Sequence, residues 1–141
     1  MSKKIDPVRE TDVEALEIAQ KLVSETRYAS FAVNEPETGF PLVSRIAACW
    51  DREIGIFFAA SDLSVHSKAL LQDPKCSIML GEVGKGDGLA YARMTLVAET
   101  VRMENSHHDR AKFREYFLQT HPKAELYIDF ADFGFYPLKV E

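Results

Sequence analysis

Apolar positions change their spacing several times along this chain, and each change marks a new element. Val13, Leu16, Ala19 and Val23 recur at helical intervals. They predict a helix over about 12–25 with one face on the core. Thr11-Asp12-Val13-Glu14 ahead of it fits a capping box, with Thr11 as N-cap and Glu14 reaching back. At Tyr28 the period drops to two: Ala29, Phe31 and Val33 alternate with Tyr28, Ser30 and Ala32, as in a strand. Glu35-Pro36-Glu37-Thr38-Gly39 is a turn by its proline and glycine. A second strand is expected over 42–50, a polar hairpin connection at Asp51-Arg52-Glu53, and a third strand over 54–59. The third run is apolar throughout, which predicts burial on both of its faces.

A polar segment follows, then a short helix expected over 64–72. Asp73-Pro74 ends it, because the residue before a proline avoids helical backbone angles. Strands are expected over 76–80 and 92–103, separated by a glycine-rich loop over 81–88. Ser106-His107-His108-Asp109 offers an N-cap for a helix reaching about residue 119, with Phe113 and Phe117 inward. Pro122 suits the first position of a shorter helical segment. The last strand spans 133–140, and Pro137 within it argues for an edge position or a bulge. Three early strands on short turns favour an antiparallel meander over βαβ units. The fold class is therefore α+β, a six-stranded small barrel with flanking helices, expected as a single domain over 1–141.

Composition narrows the function classes. The chain has 141 residues, 46% hydrophobic and 28% charged, with net charge −5. That is ordinary for one globular domain. There is no basic stripe, so nucleic acid is not an expected partner. No apolar run approaches the roughly 20 residues of a membrane helix. The N-terminus lacks the apolar stretch of a signal peptide, and the chain reads as cytoplasmic. Cys49 and Cys76 share no metal-type spacing and sit in apolar stretches, as buried free thiols do. No dinucleotide fingerprint, P-loop or nucleophile elbow is present. His107 and His108 are adjacent, and on a helix they would point about 100° apart, a poor start for a metal site.

One segment does concentrate chemistry. Ser61, Ser64, His66, Ser67 and Lys68 crowd the start of the short helix. A helix N-terminus presents unpaired N–H groups and a positive dipole end, and hydroxyls with a cation would complete an anion cradle. Simple capping by Ser61 or Ser64, with His66 and Lys68 solvated, explains the same residues, and on the local residues alone it is the better-supported reading.

Several motifs in order resemble a known family. They are Pro41-Leu42-Val43-Ser44-Arg45, then Ala60-Ser61-Asp62-Leu63-Ser64-Val65-His66-Ser67, then the run Leu70-Leu71-Gln72-Asp73-Pro74-Lys75-Cys76-Ser77. Gly86-Asp87-Gly88-Leu89 leads to Arg93-Met94-Thr95-Leu96, and Asp129-Phe130 leads to Tyr136-Pro137-Leu138. Together they resemble the FMN-binding split β-barrels of the pyridoxamine 5′-phosphate oxidase-like superfamily, in particular its haem-utilisation branch. The similarity covers the chain from about Ala15 onward. Gly88 and Ala92 stand where the branch has prolines, and Ala98 where it often has glycine.

The resemblance implies FMN as cofactor, in a homodimer with the cofactor site at the interface. It implies that Ser61 and His66, with Ser67 or Lys68, hold the phosphate. Ser44, Arg45 and Ile46 would line the isoalloxazine and ribityl chain, and Arg93 would face the flavin pyrimidine edge. Hydride or electron transfer between a small-molecule donor and acceptor would follow, since that chemistry belongs to the cofactor. A non-catalytic flavin or haem carrier is the alternative. The segment that haem-degrading members carry at the C-terminus has no counterpart before Glu141, so haem degradation is not expected.

Overall fold

The structure is a computed structural model, and it describes residues 12–141. The expected Thr11 cap, like the N-terminal stretch from Met1, lies outside the described residues. The first helix, α1 (Val13–Glu25), is capped instead by Asp12, whose carboxylate accepts the Ala15 N–H at 2.8 Å. Six strands follow: β1 (Tyr28–Asn34), β2 (Pro41–Asp51), β3 (Gly55–Ser61), β4 (Lys75–Leu80), β5 (Met94–Thr100) and β6 (Phe133–Val140). Helix α2 (Val65–Gln72) lies between β3 and β4, and α3 (Arg110–Thr120) between β5 and β6.

The strands close into an antiparallel barrel in the order β1-β2-β3-β6-β5-β4, with β4 returning to pair with β1. The meander expected for β1 to β3 is present: Phe31 lies opposite Ser44, and Ala48 opposite Phe58. Period-2 alternation sends one set of side chains inward from every strand. Phe31, Ile46, Phe58, Ile78, Leu80, Ala98 and Tyr136 fill the interior. The Phe58 and Tyr136 rings stack there at 4.8 Å. Ala69 and Leu70 of α2 join this interior core.

The opposite faces of β2, β3 and β6 carry Cys49, Phe57, Ala59 and Phe135. Phe113 and Phe117 of α3 cover them, with Ala124 and Ile128 beyond it, and form a second core. β3 is thus buried on both faces, as its unbroken apolar run predicts. Both cysteines are free and buried.

Three expectations are corrected. Only Leu22 and Val23, near the C-terminal end of α1, pack against the interior core, and no residue of α1 is fully buried. Helix α3 opens at Arg110, so His107 and His108 lie in a turn before it, their rings stacked at 4.4 Å. Pro137 is on no edge strand, because β6 pairs with β3 on one side and with β5 on the other. It sits where β6 ends its pairing with β3 and, from Leu138, pairs with β5. A missing N–H costs least at such a handover.

Candidate functional site

The polar segment after β3 folds against one mouth of the barrel. Ser61 ends β3, and α2 starts four residues later. Ser64 is the N-cap by position, yet its side chain makes no capping bond. Its hydroxyl instead donates to the Ser61 carbonyl at 2.5 Å. The first-turn N–H groups of α2 are therefore left without a side-chain cap, the condition that suits an anion.

His66 lies inside the mouth, edge-on to Phe31 and Phe58. Its Nδ1 is 3.2 Å from the Ser44 hydroxyl and its Nε2 3.3 Å from that of Ser64. Burial alone pushes this imidazole below the ordinary histidine range, so it is neutral near pH 7. Ser67, 2% exposed, is 2.8 Å from Ser64 and also bonds the Tyr136 phenol. Ser61 donates to the Asp132 carboxylate at 3.0 Å and accepts the Leu63 N–H. Next to it, Asp62 is bound by Arg102 at 2.6 Å, and Arg102 also reaches the Ala131 carbonyl. Gly134 permits this, since a Cβ there would lie 2.5 Å from the guanidinium.

Of the residues singled out from sequence, Ser44, Ser61, His66 and Ser67 thus meet through Ser64. Lys68 stands exposed on α2 next to them. Alternation along β2 separates the remaining group. Ser44 and Ile46 share the inward face and Arg45 the outward one. Ile46 is 4% exposed in the interior core, so its side chain is not presented to an external ligand. Arg45 borders a separate groove of about 470 Å³ with Tyr28, Ser30, Met79 and Glu82. Arg93 is exposed ahead of β5, donating to the Leu89 carbonyl at 3.2 Å.

Ser64, Tyr136 and Asp132 complete the cluster. Ser64 was visible in the serine run, but Tyr136 and Asp132 arrive from about 70 residues away and no local pattern marks them. Elsewhere, His107, His108 and Asp109 offer ligand atoms within 4.8 Å of one another. There the His107 Nδ1 lone pair already accepts the Asp109 N–H, and the turn lies at the positive end of α3. Among the described residues no helix is long and apolar enough to cross a membrane.

A closed six-stranded barrel with a polar helix start at its mouth is the architecture of the split barrels. The chain has the fold of the pyridoxamine 5′-phosphate oxidase-like split barrels, and haem-related proteins are among those it is similar to. One solved structure 34% identical superposes with a TM-score of 0.81 over 94% of this chain and 85% of its own. A heme binding protein from Mycobacterium smegmatis is 27% identical, with a TM-score of 0.78 over 95% of this chain and 53% of its own. The non-canonical heme oxygenase HOZ, chloroplastic, of Arabidopsis thaliana is 35% identical over 97 residues. That match takes in 69% of this chain but only 29% of the plant protein's length. No family model matches the chain.

Proposed function

We propose that this protein binds FMN at the barrel mouth, between two copies of the chain, and passes hydride or electrons from a small-molecule donor to a small acceptor. The observation that carries the reading is the uncapped first turn of α2, with Ser44, His66 and Lys68 beside it. Those groups fit a phosphate monoester: free backbone N–H donors, a positive helix end and a lysine. Lys68 and the α2 amides would hold the phosphate, and Ser44 would meet it where the ribityl chain begins. Arg45 and Arg93, both exposed, would face the flavin. When bound, FMN supplies the redox chemistry itself. The chain's part is to hold and orient it, which accounts for a site without an obligatory acid or base.

The test is a titration of the purified protein with FMN, read by flavin fluorescence. Saturation at one FMN per chain is expected. Lys68→Ala should weaken binding by about 1.5–3 kcal/mol, as for one hydrogen bond to a charged group. Reduction of the bound flavin by NADPH in rapid mixing separates an oxidoreductase from a carrier.

A second reading is favoured by the two haem-related proteins above: a haem-binding carrier built on the same barrel. It predicts a Soret band on haem addition and no flavin quenching. That pair of results would overturn the FMN reading.

A further inference from the structure

We infer that binding of a phosphate monoester at the barrel mouth is accompanied by uptake of one proton at His66, which turns the face that Ser44 shows the ligand from a hydrogen-bond acceptor into a donor. This rests on the phosphate site proposed above, and the argument is one of counting protons. The approach of the Ser64 hydroxyl to the Ser61 carbonyl, at 2.5 Å, requires a proton between them, and a carbonyl has none to give. Ser64 must therefore donate to Ser61. Its two lone pairs are left to accept from Ser67 and from His66 Nε2. A neutral imidazole carries one proton, so Nδ1 is bare, and the Ser44 hydroxyl must donate to it. The Ser61 proton is already on Asp132.

Every serine proton of the cluster is thereby spent inside the protein. To a ligand, Ser44 offers only lone pairs, and these repel a phosphate oxygen. A second proton on His66 reverses the bond: Nδ1–H then donates to Ser44, and the Ser44 proton is released toward the ligand. The imidazolium also adds a positive charge beside the phosphate. What surrounds His66 leaves this choice to the ligand. β1 presents Phe31, β2 Ser44, β3 Phe58 and the helix start Ser64. The titratable Tyr136 of β6 reaches it only through Ser67 and Ser64, and the charges of Asp62 and Arg102 act on Tyr136 while burial alone acts on His66. On α2, Lys68 is exposed to solvent.

The experiment is imidazole ¹⁵N spectroscopy of the whole protein, free and saturated with FMN, at pH 7.5. The free protein should show His66 protonated at Nε2 only, and the saturated protein protonated at both nitrogens. Sulfate, which does not titrate in this range, should produce the same change at high concentration. Calorimetry in two phosphate-free buffers of different ionisation enthalpy should show uptake approaching one proton per FMN. Affinity should fall by up to tenfold per pH unit above neutrality. His66→Gln, which keeps the donor to Ser64, should abolish the uptake. If FMN binds and His66 keeps a single proton, this inference fails and the phosphate site stands. If FMN does not bind at any pH, both fail. A free protein with the proton on Nδ1 also overturns the inference, and the wild-type spectra decide the matter even if the variant does not fold.

Discussion

Helices α1 and α3 are of similar length, and they use their apolar residues in opposite ways. α3 sends Phe113 and Phe117, one turn apart, into the second core, where they meet Phe57 and Phe135. α1 has the more regular apolar stripe in sequence, yet Val13 and Leu16 are 72% and 54% exposed. Only Leu22 and Val23 reach the barrel. A helical period says that a face needs cover. It does not say what provides it. For α3 the cover is a sheet whose outer face is itself aromatic. For most of α1 the described residues provide none.

The largest test of this contrast is Phe117→Ala. It removes a fully buried ring beneath α3 and should cost about 3–5 kcal/mol, read as a lowered urea midpoint. A loss below about 1 kcal/mol would mean that α3 is not anchored as described.

Acid should also act on the α3 side. His121, the C-cap of α3, is buried, packs on Phe117 and donates from Nε2 to the Ala48 carbonyl at 2.7 Å. Burial holds its imidazole below the ordinary range, despite the opposing pull of that hydrogen bond, and His66 is lowered likewise. The unfolded chain therefore binds more protons than the folded one once the pH falls below about 6.5. Stability should be full above that pH and decline below it, by up to roughly 1.4 kcal/mol per pH unit per histidine, until the folded-state value is reached. Thermal melts from pH 8 to 5 would show it. His121→Gln should flatten the slope, and an unchanged slope would remove His121 from the account.

Smaller effects belong to α1. Asp12→Ala removes its cap and should cost about 1 kcal/mol, seen as faster hydrogen exchange in the first turn of α1 alone. Leu16→Gln should change the stability of the single chain by less than about 0.5 kcal/mol. A larger loss that grows with protein concentration would show α1 covered by a second copy, as the proposed dimer allows.

Much of this fold was legible in the residues. All six strands were expected, β1 and β5 from their alternation, and the apolar run of β3 announced a strand buried on both faces. Ends were harder. β5 was expected over 92–103 and spans Met94–Thr100, because the alternation runs on into residues that form no continuous ladder, although the Met103 N–H still reaches the Phe135 carbonyl. α3 was opened too early at the Ser106–Asp109 cluster, whose capping residues form a turn instead. In the site, sequence located the serine-rich helix start and both serine–histidine partners. It could not orient them. Whether a side chain points into the barrel or away is fixed by register, which is why Ile46 and Arg45 part company. The partners that occupy the hydroxyls, Asp132 and Tyr136, come from the last strand region, and only closure of the barrel brings them near.

That closure has a further consequence. With β4 paired back to β1, no described strand is an edge along its whole length, and strand addition could reach only stretches that pair on one side, such as those of β2 (41–46) and β5 (94–96). Elsewhere on the barrel strand addition is barred, whether the newcomer is a peptide, a second copy or a growing aggregate. Whatever docks over the doubly paired part of the wall must read side chains, and selectivity there is written in residues such as the exposed Met79, and not in the main chain.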